Sequence, residues 1–289
     1  MKRSYLFSLP LFIFIFICLL PAQTTMDAAR EAVKSKNWQE AKKILESLIE
    51  QNEDNAQAHF LLGECFLALK DYDEASDEFE EAVDLEPDSA LYYARLGQAL
   101  GIKAQNSNVL KQAWLAPKIK NAFARAVELD STQVDARINL ANFYLMAPGF
   151  MGGDMEKALE QANALIRMGN INGRLILAQI YLKKEKADSA MMMYEEIEKE
   201  VGDNPEYYGF YNNYGYLLLR QKQYDKAIVK FKKQIEMAPD RANPYDSLGD
   251  AYRAAGRTEE AKQQYKKALQ IDPNFKASRK KLEELENDE

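Results

Sequence analysis

The sequence is short of the groups from which most active sites are built. Its 289 residues include one histidine, His59, and two cysteines, Cys18 and Cys65. Without a second histidine, a base–nucleophile pair or a Cys–His centre cannot be assembled in the usual ways. Glycine and proline are also scarce, at 13 and 9 residues, which leaves little material for the turns of an all-β chain. No dense basic stripe is present. Lys and Arg number 38 against 45 Asp and Glu, a net charge of −7, and a surface of that sign repels phosphate backbones. Nucleic acid is therefore excluded as a partner.

What remains is rich in Ala, Leu, Glu, Lys and Gln, all good helix formers, so composition points to an all-α chain. Carboxylates are plentiful, but they recur on solvated helix faces and nothing singles out a pair for acid–base work. Met191, Met192 and Met193 suggest a soft metal site, yet consecutive helical residues point about 100° apart and do not converge on one ion. Met151 and Met155 are better spaced, but methionine is a common core filler. The expectation is a non-enzymatic protein with no metal and no cofactor.

Residues 1–22 differ from all that follows. Lys2 and Arg3 precede an almost wholly apolar run from Tyr5 to Leu20, which gives way to Pro21, Ala22 and Gln23. Basic, then apolar, then small is the order of a secretory signal. The run is short for a spanning helix, which needs ~20 residues. Phe16 and Ile17 before Cys18 do not fit a lipoprotein signal. We expect export to a periplasmic or secreted location with cleavage after Ala22, the alternative being an uncleaved anchor at residues 5–20. Loss of Lys2 and Arg3 makes the mature chain more acidic by two charges. It also leaves Cys65 as a lone thiol without a disulfide partner, so the fold stands on packing.

An internal repeat organises the rest. Residues 59–87 read HFLLGECFLALKDYDEASDEFEEAVDLEP, residues 211–239 YNNYGYLLLRQKQYDKAIVKFKKQIEMAP, and residues 245–273 YDSLGDAYRAAGRTEEAKQQYKKALQIDP. In each, a glycine (Gly63, Gly215, Gly249) is followed twelve positions later by an alanine (Ala75, Ala227, Ala261). An aromatic follows four positions after that (Phe79, Phe231, Tyr265), and a proline closes the unit (Pro87, Pro239, Pro273). The small first position recurs at Ala29, Gly63, Gly97, Ala141, Ala178, Gly215 and Gly249, with gaps of 34, 34, 44, 37, 37 and 34. Two antiparallel helices approach closely only where side chains are small, and the proline ends the second helix.

These motifs resemble the tetratricopeptide-repeat family, whose 34-residue unit is a helix–turn–helix. The resemblance implies an all-α, right-handed superhelical solenoid of about seven repeats over residues 23–275. A C-terminal capping helix over 276–289 would turn Leu282 and Leu285 inward. Two insertions depart from the pattern. Residues 101–118 lengthen the third unit by ten, and are either an extended helix pair with Trp114 packed on a neighbour or a projecting loop that touches a partner. Residues 147–154 hold a Pro-Gly-x-x-Gly-Gly turn in which Asp154 is placed to cap the next helix and so to occupy the amides that a phosphate would need.

The family also implies where a partner lies. First helices line its concave face, and ligand peptides sit there. By that resemblance the partner-binding residues are Phe60, Glu64, Gln98, Asn139, Asn142, Gln179, Asn212, Asn213, Tyr216, Asp246 and Asp250. Asn and Gln offer both a donor and an acceptor to a peptide backbone. No lysine occupies the fifth position of any unit, which argues against a clamp for a carboxyl-terminal tail. The acids Glu64, Asp246 and Asp250 suit a basic or neutral polypeptide. The expected function is a protein-interaction scaffold of the cell envelope, with a membrane-tethered structural organiser as the alternative. The register itself is testable: Ala227→Leu should overpack a helix pair and cost ~1–3 kcal/mol in thermal or denaturant unfolding.

Overall fold

The structure, a computed structural model, describes residues 25–287; the expected leader lies outside the described residues. These divide into two compact units, one ending at Ile180 and the other beginning at Tyr181. No strand occurs among them. The first unit comprises α1 (residues 25–34), α2 (Trp38–Gln51), α3 (Ala56–Leu69), α4 (Tyr72–Leu85), α5 (Ala90–Gln105), α6 (Val109–Leu129), α7 (Val134–Met146), α8 (Met155–Arg167) and most of α9 (Ile171–Lys183). The second continues with α10 (Ala187–Val201), α11 (Tyr208–Arg220), α12 (Tyr224–Met237), α13 (Ala242–Ala254), α14 (Thr258–Ile271) and α15 (Lys276–Asn287). In chain order these are seven helix pairs and a terminal helix, an all-α repeat array.

Local sequence sets the ends of the helices. The side chains of Asn55, Ser89 and Asn108 accept a bond from the backbone N–H three residues on, at 3.1, 3.4 and 3.0 Å, and so satisfy donors that a helix start leaves open. Pro87, Pro239 and Pro273 each follow the last residue of α4, α12 and α14 by two positions. Lys36, Lys70 and Lys222 make the tight turn between paired helices with φ of 59°, 70° and 56°, and Gly256 does so with φ 75°.

Four of the pairs close on a glycine laid against an aromatic ring. A methyl carbon placed on Gly63 would come 2.8 Å from the Phe79 ring. The same distance is 2.7 Å from Gly97 to Phe123, and 2.5 Å from Gly215 to Phe231 and from Gly249 to Tyr265. These rings are buried, as are Ala75, Ala227 and Ala261 at the turn-side crossing. His59, also buried, ties the second pair together. Its Nδ1 lies 2.7 Å from Glu78 Oε2 on α4, and its Nε2 lies 3.0 Å from the Glu53 carbonyl before α3. Cys65 is fully buried on the other side of α3, and burial pushes its thiol up to about 11.

Both insertions have defined form. Residues 101–118 complete α5, turn at Asn106–Asn108, and begin α6, which runs on through Pro117. They make an extended helical hairpin, not a loop, but Trp114 is not packed on a neighbour as one reading held. Its ring is 62% exposed, with the Lys118 ammonium 5.0 Å from its centre. It lies on the same exposed stripe as Leu110, whose direction only tertiary packing decides. In the other insertion a 3₁₀ turn, Gly149–Met151, leads to Gly152 with φ 97°. The Asp154 carboxylate then accepts from the Glu156 and Lys157 amides at 3.0 and 3.1 Å, so the start of α8 is filled from within the chain.

The last helix is fastened by charge. Ser278 donates to Asp246 at 2.6 Å, and the Lys281 ammonium donates to Asp246 and to Asp250 at 2.8 Å each. Burial lowers the affinity of Lys281 for its proton, but the bonds to the two carboxylates outweigh it and hold the ammonium above its ordinary value. Removing the cation leaves the buried Asp246 and the half-buried Asp250 carboxylates without it. Lys281→Met should therefore cost ~2–3 kcal/mol in urea unfolding at neutral pH, far more than the same change at an exposed position such as Lys280.

Candidate functional site

Three of the eleven residues expected to bind a partner converge in the first unit. Gln98 on α5 and Asn139 and Asn142 on α7 line one hollow of about 450 Å³. Its other walls are Gly97, Gly101, Ile102 and Gln105 of α5 and Phe143 and Met146 of α7, over a floor of Ile119 and Phe123 from α6. A second hollow of about 290 Å³ continues along the same two helices. It shares Gln98 and Asn139 and adds Leu91, Arg95, Asp135 and Ile138. The face between α5 and α7 is thus a trough with a ladder of amides along it.

Other expected residues are already occupied. Phe60 stacks on Tyr92 with ring centres 4.5 Å apart and tilts against Phe79 at 5.7 Å, so it is part of the packing between α3 and its neighbours. Glu64 pairs with Arg95 at 2.9 Å, and Arg95 also donates to Gln98 at 2.8 Å. Burial raises the Glu64 carboxyl above its ordinary value, and Arg95 only partly opposes that. Gln179 sits half-buried on α9 and does not reach the hollow.

In the second unit the polar residues bond one another. Asn212 accepts from Ser247 at 2.9 Å, and the Tyr216 hydroxyl donates to Asp250 at 2.9 Å. Tyr265 donates to the other oxygen of Asp250 at 2.8 Å. Burial raises both phenols far above their ordinary value and keeps them protonated as donors. Asp246 is 5% exposed and spent on Ser278 and Lys281. Asn213 alone of this group is exposed. An acidic face inviting a basic partner is therefore not what the structure presents, because Glu64, Asp246 and Asp250 each have a cation within the chain. Helical periodicity places such residues on a face but does not reveal which later segment covers it.

The hollow includes residues that sequence reasoning did not select: Gly101, Ile102, Gln105 and Met146. Gly101 carried the available signal. A glycine inside a helix costs ~0.5–1 kcal/mol relative to alanine, and such a residue needs a reason.

Comparison with known proteins agrees with this architecture. Residues 26–90 and 209–274 each match a tetratricopeptide-repeat family model. A solved tetratricopeptide repeat protein from Parabacteroides merdae superposes with a TM-score of 0.71 over 91% of this chain and 98% of its own, at 13% identity. This chain is a member of the tetratricopeptide-repeat family. The array is also similar to a chain of the APC/C hetero-tetramer Cut9–Hcn1, with a TM-score of 0.63 over 89% of this chain and 48% of that one, at 14% identity. Among curated proteins it is 26% identical over 216 residues to the Protein CTR9 homolog of Arabidopsis thaliana, covering 73% of this chain. The chain spans only 19% of that relative's length. Tetratricopeptide arrays act in general as protein-interaction scaffolds and are typically not catalysts.

The raised Glu64 carboxyl has a definite consequence for stability. Because the folded state holds this proton more tightly than the unfolded chain does, stability falls as pH rises from the ordinary value of 4.5 through the raised one. Glu64→Gln should remove that slope. The variant should melt no lower than the wild type at neutral pH and lose its relative advantage as the pH is brought down through the carboxylate range.

Proposed function

We propose that the protein is a polypeptide-binding scaffold of the cell envelope whose partner lies in the trough between α5 and α7. The observation that carries this reading is the convergence of Gln98, Asn139 and Asn142 on one hollow, where the two asparagines carry donors and acceptors for an extended backbone and Gln98, whose oxygen accepts from Arg95, adds its amide donor. Family membership supports the general role. The fold relative in the Cut9–Hcn1 hetero-tetramer works within an assembly of polypeptides. The envelope location rests on the basic, apolar, small order of residues 1–22. No helix among the described residues is long and apolar enough to cross a membrane, so a tethered organiser would depend on residues 5–20. An alkaline wash of the membrane fraction separates the two, since a scaffold freed of its leader is released and an anchored one is not.

The trough is tested by photo-crosslinking in the cell from Asn139, with Asn121 on the exposed side of α6 as the matched control. A discrete protein adduct from Asn139 and none from Asn121 is the expected result. Adducts from Asn121 alone would move the interaction to the outer face and remove the trough as the site.

A further inference from the structure

Five glycines lie inside or beside the ring contacts of the first helices, and one of them has no packing reason to be there. Gly63, Gly97, Gly215 and Gly249 each press on an aromatic ring, so a larger residue would collide. Gly101 lies one turn beyond Gly97 on the same face of α5, yet a methyl group built on it would meet nothing within 4 Å. It does not adopt a left-handed conformation, for its φ is not positive. The residue weakens the middle of a sixteen-residue helix without relieving a clash or making a turn. What its bareness does is keep open the wall of the 450 Å³ hollow.

The hollow has a second property that points the same way. None of its eleven lining residues is charged, in a chain where 29% of residues are. Its floor is apolar, from Ile119 and Phe123, and Met146, which is 67% exposed, stands at the edge as an adaptable side wall. A charged group entering it would lose water and meet no charged lining residue. An uncharged apolar group would instead be covered on three sides, in a volume within the usual ~300–1,000 Å³ of ligand pockets. Asn139 and Asn142 along one wall and Gln98 on the other suit the amides that flank such a group in a polypeptide.

We infer that this hollow is an anchor pocket for an uncharged apolar side chain of an extended polypeptide, admitted because Gly101 carries no side chain. The inference rests on the scaffold reading and adds the chemistry of the residue it selects. The flanking backbone is held by the amides, and a charged residue at the anchor position is rejected.

The test uses the full chain and a bead-displayed library of random peptides. Binders selected on the wild type should share one uncharged apolar position, and replacing it by Glu or Lys should weaken them by about tenfold or more, as expected for burying an unpaired charge. Gly101→Leu fills the hollow and should cost the same peptides at least a similar factor. It should melt no lower than the wild type, since leucine is the better helix former and its Cβ enters open space. Asn121→Leu, on the outer face, controls for added surface leucine and should bind as the wild type does. Peptides that bind Gly101→Leu undiminished, or whose shared position is charged, would overturn the anchor pocket while leaving a polypeptide scaffold intact. A library that yields no binder at all would count against both readings.

Discussion

Four of the seven helix pairs in this protein are held at one point where a bare glycine lies against an aromatic ring, and much of the architecture is arranged around that contact. Burying a ring is worth several times what a helical glycine costs, so the pair gains only while the glycine stays bare and the ring stays opposite. In three pairs the ring follows its glycine by sixteen residues, from Gly63 to Phe79, Gly215 to Phe231 and Gly249 to Tyr265. In the third pair the interval from Gly97 to Phe123 is longer by ten, and the contact is nonetheless kept at 2.7 Å. The additional residues are therefore accommodated beyond the contact, as further turns on both helices. Most of that length is in α6, which has 21 residues against 14 in α4; α5 has 16 against 14 in α3, so of the trough's walls only Gln105 lies on the extension.

The same contact explains how much the sequence disclosed. A small residue, an alanine twelve positions on and an aromatic four beyond that form a pattern few other folds demand, so the helix pairs and their order were legible from residues alone. The turn at Asp154 was legible too, because an aspartate after Gly-Gly has one evident use at a helix start. Trp114 was not, since whether a tryptophan on a helix extension faces a neighbour or solvent depends on how far the adjacent pair reaches. Asp246 and Asp250 misled for a related reason. Their spacing along α13 assigns them a face, but the cation that neutralises them, Lys281, comes from a helix thirty residues later.

Electrostatics in the two units follow one rule despite different parts. The three acids expected on the binding face are neutralised within the chain: Arg95 pairs with Glu64 in the first unit, and Lys281 serves both Asp246 and Asp250 in the second. Such pairs gain little net stability once desolvation is counted, yet breaking one leaves an uncompensated charge. Their effect on recognition is to remove charge from surfaces that composition would call acidic. What lines the larger hollow between α5 and α7 is amide and hydrocarbon, and a surface of that kind discriminates by shape and hydrogen bonding more than by long-range attraction.

The single histidine makes the second helix pair observable in a way the others are not. Both nitrogens of the His59 ring face oxygen acceptors, Glu78 on one helix and the Glu53 carbonyl on the preceding turn. The ring is pinned between three segments of chain that lie far apart in sequence from the trough's walls but share one continuous core with them. Since no other imidazole is present, any imidazole resonance in the magnetic resonance spectrum is that of His59, with no mutation needed to assign it. The native molecule thus carries its own spectroscopic reporter, and a ligand that strains this core on entering would announce itself there.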